Sequence, residues 1–185
     1  MTTLPSTFRL RAATSADASL LATLAAETFT DAFGAQNTAE NLAAFIEARY
    51  SPDIQRAELA DPALTYLIAE VEGKTAGYAL VREGATPACV TGPLPVEVQR
   101  FYVLRDWHGA GVAQALMEGC VAEARRRGGR TLWLGVWEIN PRAIRFYEKC
   151  GYRQVGTQTF MVGSDAQRDR VLDRPVELPA SAQGR

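Results

Sequence analysis

Apolar residues fall on the chain in patterns that alternate between two periods. Phe8-Arg9-Leu10-Arg11 alternates as a half-buried strand does. Between residues 15 and 33, Leu20, Leu21, Leu24, Ala25, Thr28, Phe29, Ala32 and Phe33 recur at three- and four-residue spacing, one stripe of a helix that Gly34 closes. Thr38 is placed to cap a second helix with Leu42, Phe45, Ile46 and Tyr50 on its buried side; Ser51-Pro52 breaks it, and a short helix to Leu59 follows. Leu64–Val71 and Thr75–Arg82 flank Glu72-Gly73-Lys74 and predict a hairpin, and the Pro- and Gly-containing stretch 84–95 predicts a loop. Glu97–Leu104 predicts a strand. Val112, Ala113, Leu116, Met117, Cys120, Val121 and Ala124 form a helical stripe that ends in Arg125-Arg126-Arg127-Gly128-Gly129, basic residues followed by glycine as at a helix stop.

Leu132–Trp137 is almost continuously apolar, as in a strand covered on both faces. Asn140-Pro141 supplies a helix cap and a first-turn proline, and Gly151 ends that helix. Tyr152–Val162 and Arg170–Leu178 predict two more strands. Helices between strands after residue 96 require a crossover and some parallel pairing. One domain over residues 7–178 with a flexible tail at 179–185 is expected.

Composition places the chain among globular proteins: 185 residues, 47% apolar and 22% charged. No apolar run approaches the ~20 residues that span a bilayer. The first residues lack the basic and apolar regions of a secretion signal. Three cysteines, an odd number without metal-type spacing, read as reduced thiols of a cytoplasmic protein. The single histidine, His108, excludes a multi-histidine metal site, and no metal is expected. Residues 1–95 carry six basic and eleven acidic side chains, net −5, and residues 96–185 fourteen and ten, net +4. A basic half suits a phosphorylated cofactor and an acidic half a cation, although ordinary solvated faces would look the same. The Arg125–Arg127 run reads as solvated. No basic patch interleaved with aromatics points to nucleic acid.

The chemistry concentrates where the strand ending at Leu104 runs through Arg105-Asp106-Trp107-His108-Gly109-Ala110-Gly111-Val112-Ala113 into a helix. Glycines permit left-handed backbone and close ligand approach, and the free N–H groups of a helix start bind phosphate. A Walker A loop would require lysine after Gly111, and a dinucleotide fingerprint would require glycine at Gln114.

His108-Gly109-Ala110-Gly111-Val112-Ala113 instead resembles the pyrophosphate loop of the GNAT N-acetyltransferases, Gln/Arg-x-x-Gly-x-Gly/Ala, with His in the first place. Asn140-Pro141-Arg142-Ala143-Ile144-Arg145-Phe146-Tyr147-Glu148-Lys149-Cys150-Gly151-Tyr152 resembles the family's second signature, Asn-x-x-Ala-x-x-Phe-Tyr-x-x-x-Gly-Phe/Tyr. Trp133–Glu138, Thr159–Gly163, Asp165–Asp169 and Thr28–Gly34 resemble the PaiA-type subgroup, which includes polyamine N-acetyltransferases. The resemblance implies an α/β fold: a mixed, largely antiparallel twisted sheet of six or seven strands, helices on both faces, and a splayed strand pair holding acyl-CoA. It implies acetyl-CoA as cosubstrate and transfer to a small-molecule amine by direct attack, in a monomer or homodimer. Acetylation of a protein or aminoacyl-tRNA amine, and non-catalytic acyl-CoA binding, remain as alternatives.

Roles carry over position by position. Phe101 aligns with the residue whose N–H contacts the thioester oxygen; Tyr102 and Val103 continue along the pantetheine. His108, Gly109, Ala110, Gly111, Val112 and Ala113 surround the pyrophosphate, and Asn140, Ala143 and Lys149 belong to the cofactor-binding signature. Tyr147 lies two turns, about 10 Å, beyond Asn140 on the same helix face; its phenol, with a pKa near ~10, can hydrogen-bond a departing thiolate. Glu97 matches the family's glutamate base, and Glu138 is its rival. Period two predicts Glu97, Gln99, Phe101 and Val103 on one strand face.

Overall fold

The computed structural model describes residues 7–34, 37–162 and 165–177. In chain order the elements are β1 (Phe8–Ala12), a 3-10 turn (Ser15–Asp17), α1 (Ala18–Phe33), α2 (Ala39–Tyr50), α3 (Pro52–Ala60), β2 (Leu64–Val71), β3 (Lys74–Arg82) and β4 (Pro95–Val103). A second 3-10 turn (Arg105–Trp107) leads to α4 (Val112–Arg126), β5 (Thr131–Trp137), α5 (Pro141–Lys149), β6 (Arg153–Val162) and β7 (Asp165–Pro175). The helix starts follow local chemistry: Thr38, Ser51 and Asn140 each accept a hydrogen bond from the N–H three residues on, which satisfies an otherwise free donor. The expected tail at 179–185 lies outside the described residues.

Seven strands form one sheet in the order β1-β2-β3-β4-β5-β7-β6, and all pairs are antiparallel except β4–β5. The last strand begins five residues earlier than the sequence suggests. Asp165–Asp169 is mostly polar and carries no apolar alternation, yet it pairs along its length with β6 and, at Asp169, with β5, so the sheet rather than the pattern fixes it.

Two cores cover the two faces. On one, Val112, Leu116 and Cys120 of α4 and Ile144 and Tyr147 of α5 pack on Ala79, Val98, Leu132 and Leu134. On the other, Leu21, Leu24 and Phe29 of α1 and Leu42 of α2 pack on Tyr66, Ile68, Tyr78 and Leu80. The Arg125–Arg127 run is only partly solvated. Arg127 is 5% exposed and its guanidinium engages Glu123, Glu83 and the Thr65 hydroxyl, because the helix end tucks against the β2 start. Among the described residues no helix is long and apolar enough to cross a membrane, and no cluster of three His, Cys, Asp or Glu could hold a metal ion.

Candidate active site

β4 and β5 pair only at Pro95–Glu97 with Thr131–Trp133; beyond that register both strands continue and part. This splay leaves one edge of β4 open. Leu104 N–H donates to Ala76 O beside β3, and alternation along an antiparallel strand then directs Tyr102 toward β3 and Phe101 and Val103 toward the open edge. The open edge is therefore a line of backbone groups able to pair with an extended amide chain.

A bulge changes the face expected for Glu97. Leu80 pairs with Arg100 and Val81 with Val98, so Gln99 is an extra residue in β4. Val96 and Val98 lie on the α4 face together with Phe101 and Val103, while Glu97 lies on the α1 face with Arg100 and Tyr102. The period-two expectation failed at this insertion. Glu97 is buried and bonded to Arg82; burial pushes its carboxyl upward against that pairing.

Tyr147 sits under the splay on the α4 face. Its ring meets Phe101 edge-on at 6.0 Å and 68°, and Phe146 and Tyr152 enclose it at 5.4 and 5.7 Å. Burial raises its pKa above the usual phenol value. Asn140 Oδ1 accepts the Ala143 N–H at 3.1 Å, so these two residues together begin α5. Lys149 is exposed in the last turn.

The loop leading into α4 has the geometry of an anion cradle. Gly109 and Gly111 adopt φ of 83° and 80°, and Gly111 is the N-cap. Nothing lies within 4 Å of a Cβ placed on Gly109. Ala115 N–H is engaged by Gly111 O, which leaves the N–H groups of Val112, Ala113 and Gln114 at the helix start for a ligand. His108 turns away from this start: its Nε2 lies 2.8 Å from Val103 O and must donate to it, which fixes that ring nitrogen as protonated. The chain thus supplies, in sequence, a phosphate cradle and a strand edge open at Phe101 and at the Val103 N–H, with Val103 O taken by His108, an arrangement that suits a phosphorylated pantetheine.

A sequence model of the acetyltransferase (GNAT) family matches residues 23–152. The chain belongs to the GNAT acetyltransferases. An uncharacterized N-acetyltransferase of Mycobacterium tuberculosis is 37% identical over 158 residues, 85% of this chain and 97% of that one. The ribosomal protein bS18-alanine N-acetyltransferase of Escherichia coli is 31% identical over 77 residues, 41% of this chain and 50% of that one. The crystal structure of PaiA N-acetyltransferase from Thermoplasma acidophilum with coenzyme A superposes with a TM-score of 0.73 at 16% identity, over 91% of this chain and 98% of that one. This GNAT chain is accordingly an acyltransferase that uses acetyl-CoA.

The other face of the splay carries groups to which the sequence reading gave no place in the site. Phe33, Trp137, Phe45 and Phe160 form a chain of ring contacts between 5.2 and 6.4 Å where α1 and α2 approach β5 and β6. Arg100 holds Glu58 through two hydrogen bonds of 2.8 and 2.9 Å and lies over the Tyr50 ring at 5.0 Å, which fixes α3 against β4. Asp169 of β7 is buried beside Gln158 of β6. Gly135, a glycine inside an apolar strand, marks close approach of another group on this face.

Proposed function

We propose that this GNAT enzyme transfers the acetyl group of acetyl-CoA to a primary amine of a small, positively charged molecule, with polyamines as the leading class. The observation that carries the reading is the open β4 edge between the Tyr147 ring and the carboxylate-bearing α1 face. The pyrophosphate binds at Gly109–Ala113 and the first turn of α4, and pantetheine lies along Val103 and Phe101 with Asn140 and Ala143 beside it. Acetyl-CoA supplies the activated acyl group. Phe101 N–H polarises the thioester oxygen, and the Tyr147 hydroxyl hydrogen-bonds sulfur as the carbon–sulfur bond breaks.

A cationic acceptor is supported by the net −5 of residues 1–95 and by Asp31, Glu138 and Asp169 near the splay. The polyamine class is supported further by the resemblance of Trp133–Glu138 and Asp165–Asp169 to the PaiA-type subgroup. The test is a thiol-release assay with acetyl-CoA across polyamines, aminoglycosides, amino acids and peptides with free α-amines. Highest kcat/KM on a polyamine supports the reading. Preference for a peptide α-amine overturns the small-molecule part, and no acetylated amine at all overturns the catalytic assignment.

A further inference from the structure

An attacking amine must shed a proton, because an alkylammonium has no free electron pair. The acceptor face presents buried carboxylates on β4, which borders the splay, and on β7, one strand beyond it: Glu97, Asp169 and Asp173, the last paired with Arg153 at 3.2 Å. Glu97 stands at the level where β4 and β5 are still paired, opposite Trp133, and is tied to Arg82. Asp169 stands further up, opposite Trp137, where the two strands have parted. Trp133, Val171 and the Cys89–Val90 segment pack together on its face, and Phe33 meets Trp137 at 5.2 Å.

Asp169 leans across β5. A Cβ placed on Gly135 would lie 3.1 Å from Asp169 Oδ2 and 2.6 Å from Gln158 Nε2. The missing side chain is thus what lets a carboxylate from β7 reach over β5 toward the gap. Among the described residues no arginine or lysine forms an ion pair with Asp169, and the amide of Gln158 holds it instead. We propose that Asp169 is the catalytic base of this enzyme, taking the proton of the acceptor ammonium directly or through one water at the mouth of the splay. The assignment rests on the acetyl-transfer reading above.

The step balances as follows. The ammonium gives one proton to the Asp169 carboxylate and becomes an amine. Its electron pair forms a bond to the acetyl carbonyl carbon, the carbon–sulfur electron pair leaves on sulfur, and the nitrogen's second proton passes to that sulfur, with the Tyr147 hydroxyl at hand. Asp169 then releases its proton to solvent, so one proton appears per turnover.

The environment suits this work. Burial, with Glu138 adding like charge against the Gln158 hydrogen bond, lifts the Asp169 pKa to about 6. That narrows by roughly two units its gap to an alkylammonium near ~10.4. Glu138, at the end of β5, has Arg168 of β7 at 3.8 Å; on α1, Asp31 has Arg105 at 3.9 Å; from β6 the facing group is the uncharged Gln158.

The experiment measures kcat/KM against pH for the best amine, with wild type, Asp169→Asn, Asp169→Ala, Gly135→Ala and Glu97→Gln. Wild type should lose activity below about pH 6, tenfold per unit. Asp169→Asn should fall on the order of 10²-fold at pH 8 and lose that acid limb, with KM for acetyl-CoA unchanged. Gly135→Ala, which keeps the carboxylate but crowds it, should shift the limb, and this variant decides the matter if Asp169→Asn fails to fold. Added formate should restore part of the activity of Asp169→Ala, which a purely structural role would not show. A wild-type profile in active Asp169→Asn, or transfer of the acid limb's loss to Glu97→Gln, overturns the assignment of Asp169 alone. Absence of amine acetylation by the wild-type protein would overturn the underlying reading as well.

Discussion

Phe101 and Tyr147 meet edge to face across the opening of the sheet, ring centroids 6.0 Å apart at 68°. Phe101 also turns its backbone N–H toward the open edge of β4, so the packing that fixes the Tyr147 ring ties α5 to the strand that borders the splay. Tyr147→Phe preserves the ring contact and removes the hydroxyl. We expect kcat to fall on the order of 10²-fold with KM for acetyl-CoA little changed, measured in the thiol-release assay where chemistry limits the rate. Since burial raises the phenol pKa above its usual ~10, Tyr147 stays protonated through alkaline conditions. The pH profile should show no fall below about pH 10 attributable to it.

The two left-handed glycines of the phosphate loop give a second test. At φ 80°, Gly111 holds a conformation that costs a side-chain-bearing residue roughly 1–2 kcal/mol, and a β-branched one more. Gly111→Val should therefore tilt the start of α4 away from the bound pyrophosphate. Calorimetry should find coenzyme A affinity reduced at least tenfold while circular dichroism shows the helices retained. Unchanged affinity would remove the pyrophosphate from this loop.

Much of this architecture is legible in the chain because local rules dominate where elements are amphipathic or capped. The α4 stripe, the Asn140-Pro141 start and the Glu72-Gly73 turn all follow from periodicity and turn chemistry. What was not legible depends on neighbours. The bulge at Gln99 has no signature in Val96-Glu97-Val98-Gln99-Arg100, yet it moves Glu97 to the opposite face from Phe101. Polar Asp165–Asp169 becomes a strand because β6 offers it a paired edge and β5 takes over at Asp169. His108 sits at the expected loop position but bonds Val103 O, a partner set by the turn of the chain.

Arg127 shows the same lesson for charge, and it yields a stability prediction. Burial alone would raise the Glu123 carboxyl, but hydrogen bonds from Arg126, Thr65 and Arg127 outweigh it and bring it to about 2. A carboxylate with a depressed folded-state pKa stabilises the fold above its unfolded value of ~4.3, and that contribution is lost as pH falls toward 2. Arg127→Ala leaves Glu123 buried with one partner fewer, at a cost of about 2–3 kcal/mol. The melting temperature at pH 7 should drop roughly 5–10 °C. The drop should shrink as pH is lowered through the range between about 4 and 2, where protonation of Glu123 removes the charge that Arg127 helps to balance.

The acceptor's charge can be tested independently of its identity. Asp31 and Glu138 lie partly or fully exposed at the rim of the splay, their nearest cations 3.9 and 3.8 Å away, too distant for tight pairing. Such carboxylates attract a polycation before it binds and are screened by salt, whereas buried Asp169 is screened far less. For spermidine, kcat/KM should fall severalfold between about 20 and 200 mM salt, because the Debye length drops to ~10 Å near 0.1 M. The loss should appear in KM rather than kcat, since rim charges act on encounter and not on the bond being made. Asp31→Asn with Glu138→Gln should flatten the salt dependence and raise KM while sparing kcat. A monoamine with one charge should show a weaker slope than a triamine in wild type, and the same slope as the triamine in the double variant. Equal salt slopes for amines of every charge in wild type would remove electrostatic attraction from acceptor selection and point to the Phe33–Trp137 aromatic wall instead.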